Sequence, residues 1–431
     1  VSTGDTASAY QRQPLSASLT GNKLEICISY SRKFLRRGGA IDLALQEVQL
    51  SDLLTAGTIA ANGQIFHQAF LSFSLITFGS QHRQTQITNL GYSIYGIAVR
   101  QLNQALSDSK RQTHDEVFIS VITLAFLECY VPTGPKHYIK HMIALERLLE
   151  LRTPNLTVYC SPKLSEFYKG VRHMILFASL RTGKPSILAR AEWKIFLRAL
   201  CSEEELQEQD LFDILADCTV LIAERDKMLA NWESDVEKST HQRDQIKQRA
   251  ITLLSHLHAW KERWNSNGRN SYSESPIIQE FWGERSPPFL TTFEFSNVSS
   301  AAMLMFYNTT LIYVLRVLES LSALPGHLDS PSGQSIQGPL QVARQVDHFW
   351  RLSKDEYFAL ERLAALEVCR CIPFDLAQKV RLSSCVSPIS HWAITTAWRT
   401  LCGIASADAE WMMVLLNTNS PEGIAKGVWE R

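Results

Sequence analysis

Residues 301–318 read "AAMLMFYNTTLIYVLRVL", and the fold class turns on what surrounds this stretch. Its length and apolar content approach those of a bilayer-spanning helix. Asn308 and Arg316 interrupt it, and an amide and a guanidinium are costly in hydrocarbon. The reading that follows is a helix over 297–322 buried inside a water-soluble protein, apolar nearly all round because other helices cover it. Asn297, Asn308, Thr309, Arg316 and Glu319 nevertheless gather within one broad sector of that helix. Buried polar groups need partners.

Working outward, helical periodicity recurs almost everywhere and strand signals are poor. Helices are predicted over 64–77, 86–108, 114–129, 137–151, 163–180, 189–200, 203–231, 244–264, 297–322, 340–372 and 390–402. Two polar stretches, "NSNGRNSYSESP" at 265–276 and "LPGHLDSPSGQSIQGP" at 324–339, break the pattern. Both exceed ordinary helix connections, so 265–292 and 323–340 are expected as long loops, the first suited to a closing lid with Phe281, Trp282 and Arg285. Residues 1–22 read as flexible. No fixed-period repeat and no composition shift divides the chain, so 1–431 is expected to form one large all-α domain.

Composition narrows the function classes. Lys+Arg and Asp+Glu both number 43, which leaves no basic field to hold nucleic acid. Hydrophobic residues make up 45% of the 431 residues, enough for a sizeable core. Nine cysteines lie mostly singly in apolar segments, and Cys369 and Cys371 have neither zinc-finger nor redox spacing. That usage fits reduced thiols inside the cell, and the expected location is the cytoplasm. The N-x-S/T matches at Asn155, Asn297 and Asn308 are then chance. No signal peptide is visible, and the start at Val1 rather than Met points to something missing upstream.

The helix ending "HLHAWKERW" at 256–264 holds an oddity. Ile246, Ala250, Leu253, Leu254, Leu257, Trp260 and Trp264 share one stripe, and Lys261 falls inside it, about 40° from Leu257. Two readings compete. The stem could pack while the ammonium snorkels to water, or the amine could be held beside an apolar pocket to bind an anion. His256 and His258 flank Leu257 but face no common ligand.

Several segments resemble the regulatory domain of fungal zinc-cluster transcription factors. They are "HMIALERLLELRTP" at 141–154, "FYKGVRHMILFASLRTGKPSILARAEWK" at 167–194, "FYNTTLIYVLRVL" at 306–318, "EVCRCIPFDL" at 367–376 and "SPISHWAITTAWRT" at 387–400. The likeness spans about 110–430. Ala144 stands where that family usually has glycine, and the aspartate of "CIPFDL" is unusual for it. Neither the six-cysteine zinc cluster nor its basic linker is present, so nothing here supplies phosphate contacts or a groove-reading element. A narrower family on this scaffold, the atypical fungal humulene synthases, lacks that head. Leu257-x-x-x-Lys261 resembles its pair of an alkene-steering apolar residue and a diphosphate-holding lysine.

That second resemblance implies a Mg²⁺-dependent terpene cyclase turning farnesyl diphosphate into humulene. The diphosphate needs cations and the carbocation a dry aromatic pocket, for which Leu257, Trp260, Lys261, Trp264 and Arg370 are the candidates. No Asp-Asp-x-x-Asp occurs. Asp210, Asp213 and Asp217 of "DLFDILAD" point away from their helix's apolar stripe with Glu224, as a solvated face would. Glu367 lies mid-stripe between Leu363 and Cys371, with Arg370 at the edge and Asp375 just beyond. Facing helices could set Asn308, Glu367 and Asp375 around Mg²⁺, or pair Glu, Arg and Asn with one another. Trp350, Tyr357, Phe358, Trp392 and Trp398 read as core, with a cavity wall open to some of them. The chain is expected to need neither nucleic acid nor membrane insertion, and homodimerisation is compatible with it. The other function is a regulatory, ligand-sensing transcription-factor domain.

Overall fold

The computed structural model describes residues 21–33, 35, 39–46, 64–131, 137–152, 162–234, 236–276, 289–322, 352–382 and 388–401. Among the described residues there are thirteen α-helices and one hairpin. The helices are α1 (Gly21–Arg32), α2 (Ala40–Gln46), α3 (Ile65–Gln81), α4 (Thr85–Ser107), α5 (Asp115–Tyr130), α6 (His137–Leu151) and α7 (Pro162–Thr182). They continue as α8 (Ala191–Ala199), α9 (Glu203–Ala230), α10 (Val236–Ser266), α11 (Val298–Ser322), α12 (Lys354–Leu382) and α13 (Pro388–Leu401). Strand β1 (Tyr272–Pro276) pairs antiparallel with β2 (Thr291–Phe295), Tyr272 opposite Phe295. The all-α class expected from periodicity is the class observed.

Side chains set the starts of the helices that build the site. Ser202 and Glu205 form a reciprocal capping box at the head of α9, satisfying amides that have no intrahelical partner. Ser353 and Glu356 do the same for α12, the Ser353 amide donating to Glu356 Oε2 at 2.7 Å and the Glu356 amide to Ser353 Oγ at 3.3 Å. Asn297 accepts from the Ser300 amide at 2.8 Å. Its place just ahead of α11 is therefore that of a cap.

Helix α11 is the axis of the C-terminal half. By length and composition alone it would cross a membrane, but α9, α10, α12 and α13 pack around it, and Met305, Phe306, Ile312 and Val314 are fully buried. The N-terminal half is organised by α3, which packs on α1, α4 and α5 and fills its surroundings with Phe66, Phe70 and Phe73. Helix α4 approaches α3 at Gly91. A Cβ there would stand 2.6 Å from Ile76 Cγ1 and 2.9 Å from the Ile76 amide nitrogen, so only glycine permits this spacing.

Four expectations need correction. Helix α1 begins at Gly21, inside the segment 1–22 read as flexible. The supposed loop 265–292 contains the end of α10, a 3-10 turn at Gly268–Asn270, β1 and the first residues of β2. Its residues 277–288, with Phe281, Trp282 and Arg285, lie outside the described residues, as do Asn155, Trp350 and the loop 323–340. The helix expected over 340–372 is described from Lys354 to Leu382 and runs through Pro373, which removes one backbone donor without ending it. Helix α10 begins at Val236, nearly three turns before the apolar stripe that announces it.

Candidate functional site

The last two turns of α10 deliver Leu257, Trp260, Lys261 and Trp264 to the interface with α11 and the hairpin. Leu257, Trp260 and Trp264 are fully buried. The Trp260 indole donates to the Gln207 carbonyl of α9 at 2.7 Å and stacks on Tyr307 with ring centres 5.4 Å apart. Lys261 is half-buried and enters no ion pair among the described residues. Its Nζ lies 4.2 Å from the Trp264 ring centre, 5.6 Å from Tyr272 and 5.7 Å from Tyr307. The amine is thus held against three aromatic faces, which attract a cation.

Burial lowers the Lys261 amine to about 8, with the Glu367 carboxylate opposing the drop. Between about 8 and its ordinary value the unfolded chain keeps a proton that the folded chain has released, so this residue makes the fold more stable as pH rises through that window. Labelling with an amine-acylating reagent, read by mass spectrometry, is expected to give Lys261 a reactivity midpoint near 8. A midpoint at the ordinary lysine value would mean that the amine is solvated.

Arg370 is engaged by protein groups on several sides. It fastens the hairpin to α12: Nε donates to the Thr291 carbonyl at 3.0 Å, Nη2 to Thr291 Oγ1 at 2.7 Å, and the guanidinium covers the Phe293 ring at 3.9 Å. Glu274 of β1 and Glu367 each hold it at 2.8 Å. The mid-stripe position expected for Glu367 is corrected, since Leu363 is 58% exposed and the Glu367 side chain 37% exposed. Asn308 is buried but turns back to donate to the Leu304 carbonyl at 3.1 Å. Asp375 accepts from Ser390 of α13 at 3.1 Å. Asn308, Glu367 and Asp375 therefore each engage a different partner, and no group of three or more His, Cys, Asp or Glu side chains among the described residues is arranged to hold a metal.

The aspartates of "DLFDILAD" do not form a solvated face. Helix α8 covers them with Arg198, which reaches Asp210 at 2.6 Å and Asp213 at 2.7 Å, and with Lys194, 2.5 Å from Asp217. Arg263 of α10 adds a second contact to Asp210 at 2.8 Å. Their sequence pattern is that of an exposed face because the covering charges come from elsewhere in the chain.

A second polar centre lies where α9, α11, α12 and α13 meet. Arg316 donates from Nε to Glu361 Oε2 at 3.1 Å and from Nη2 to Thr400 Oγ1 at 2.7 Å. Glu361 is only 3% exposed, and burial raises its carboxyl to about 7 against the pull of Arg316. Its Oε1 has no hydrogen-bond partner among the described residues, a deficit worth about 1–3 kcal/mol when the atom is cut off from water. These residues line a groove of about 520 Å³ with Arg225, Leu229, Glu319, Ser320, Phe358 and Arg399.

Arg316 and Glu319 stand in the polar sector read from the sequence, while Glu361 is a residue that sequence reasoning missed. The signal was present, since Glu361 occupies the buried stripe of α12 one turn from Tyr357 and one turn from Ala365. Tyr357 and Trp392 are core as expected, and Phe358 is not, being 39% exposed on the groove wall.

A family model described as the fungal specific transcription factor domain matches residues 50–338, from ahead of α3 to beyond the end of α11. The chain belongs to this family. An uncharacterized protein of Emericella nidulans is 28% identical over 116 residues, which are 27% of this chain and 24% of the relative. The chain thus spans about a quarter of that relative's length. No solved structure matches. The family match corrects the cyclase designation: lyase, humulene synthase, sesquiterpene, farnesyl diphosphate, magnesium and secondary metabolism give way to a fungal transcription-factor domain, and only the all-α and fungal descriptions carry through. Leu257 and Lys261 stand one turn apart on α10, a two-residue spacing that does not fix an activity by itself.

Proposed function

We propose that this chain is the regulatory part of a fungal transcription factor, a helical module whose conformational state sets the output of a DNA-bound partner or segment. The observation that carries this reading is the family match across 50–338. It is supported by the balanced charge of the chain, 43 basic against 43 acidic residues, which suits regulation better than direct phosphate binding. The buried Arg316–Glu361–Thr400 centre supports it too. An ion pair shared by three helices resists independent movement of any one of them, so a change at the centre is felt by all three.

The test joins residues 1–431 to a heterologous DNA-binding domain above a reporter promoter in a fungal host. Reporter output is expected to differ from that of the DNA-binding domain alone, and to shift again in a variant that breaks the Arg316–Glu361 pair while the fusion accumulates to the same level. Output identical to the bare DNA-binding domain would overturn the proposal.

A further inference from the structure

We infer that Lys261 is a reversible covalent binding site for a small neutral aldehyde with an apolar body, held as an imine on Nζ. The setting of the amine carries the assignment. Nζ lies 4.2, 5.6 and 5.7 Å from the ring centres of Trp264, Tyr272 and Tyr307. It enters no ion pair among the described residues, and the nearby Glu367 carboxylate is held by Arg370 at 2.8 Å. The residue is half-buried, not sealed. Tyr272, on the hairpin side of the cage, is 37% exposed, which brings the rim of the cage to the surface. Burial holds the amine at about 8. At pH 7 about one molecule in ten then carries the free lone pair, against about one in three thousand for an ordinary lysine.

That lone pair attacks the carbonyl carbon to give a carbinolamine, which loses water. The water takes its oxygen from the carbonyl and its two hydrogens from the amine, so no oxidant or reductant is needed. The imine nitrogen then takes up a proton, and the positive charge returns to the cage. This last step sets aldehydes apart from other electrophiles that a free amine attacks. An acyl donor would leave a neutral amide and carbon dioxide an anionic carbamate, against ring faces that attract cations and in the field of Glu367. The protonated imine keeps the cation where rings and carboxylate stabilise it. The same ring faces repel anions, which selects a neutral aldehyde. Its apolar body loses contact with water by lying over Tyr272 and Tyr307.

The site stands apart from the regulatory reading, since imine formation needs no promoter. Incubating the full chain with butanal and sodium cyanoborohydride at pH 7 traps the imine as a stable secondary amine, located by peptide mass spectrometry. Lys261 is expected to be alkylated about tenfold faster than the exposed Lys184 and Lys227, the larger neutral fraction being partly offset by lower basicity and a narrower approach. Glyoxylate, an anionic aldehyde, should show no such preference for Lys261. Tyr272→Leu keeps an apolar side chain at an exposed hairpin position and removes one ring, and should slow the Lys261 adduct about threefold. Lys261→Arg retains the charge and should abolish the fast adduct. Alkylation of Lys261 no faster than that of Lys184 and Lys227, or a rate untouched in Tyr272→Leu, would overturn the site. An equal preference with glyoxylate would overturn the neutral class of ligand.

Discussion

Arg316→Ala is expected to lower the unfolding free energy by about 3 kcal/mol at pH 8, the low end for breaking a buried pair, and by clearly less at pH 5. The lower end applies because the Arg316 side chain is 30% exposed while that of Glu361 is 4% exposed, so water already screens one partner. The pH dependence comes from Glu361. Its folded value of about 7 stands above its ordinary 4.5. Between the two the folded chain holds a proton that the unfolded chain has released, so stability falls as pH rises through this window and levels off above it.

Removing Arg316 takes away the cation that restrains the rise, so the folded value moves further up and the loss continues past neutrality. At pH 5 Glu361 is protonated in both folded proteins, and the difference shrinks toward the lost hydrogen bonds to Glu361 and Thr400. Glu319 also pushes the Glu361 value up. Arg225 and Arg399 face the groove from α9 and α13. Urea denaturation of both proteins at the two pH values checks this. Equal losses at pH 5 and pH 8 would show that Glu361 does not titrate in the fold.

Trp260→Ala is expected to cost about 3–5 kcal/mol, the range for deleting a fully buried large aromatic side chain. The residue is 0% exposed, stacks on Tyr307 and Trp264 at 5.4 and 6.1 Å, and bonds to the Gln207 carbonyl. It therefore ties α10 to both α9 and α11. Trp260→Phe should recover most of the loss, since a ring remains between the two neighbours. A second readout separates this structural role from a pocket-lining one. With Tyr307 no longer stacked, water reaches the aromatic faces around Lys261, and the labelling midpoint of that amine should climb from about 8 toward its ordinary value. Wild-type stability in Trp260→Ala would place this indole outside the core and sink the assignment.

Much of the helical architecture was legible along the chain. The spacing of Leu257, Trp260 and Trp264 predicted their shared burial, because a helix repeats its faces every few residues whatever it packs against. The Asn308 and Arg316 interruptions correctly marked the 301–318 stretch as a core helix. The hairpin was not legible. Strand β1 reads "YSESP" and is exposed at nearly every position, so it has no alternation to detect. It becomes a strand because Thr291–Phe295 lies beside it and Arg370 clamps both strands to α12.

The polar groups follow the same division. Local periodicity located Lys261, Arg316, Glu367 and the three aspartates of α9 on their helices, and composition showed that basic and acidic residues are equal in number. Which of them would be partners was decided by tertiary contact. Glu361 and Arg316 are 45 residues apart, and Arg316 and Thr400 are 84 apart. A charge on an apolar stripe looks the same in sequence whether it ends in an aromatic cage or an ion pair. Hydrophobic patterning acts over one helical turn and is written in the chain, whereas electrostatic pairing acts over a few ångströms of space that only the folded arrangement brings about.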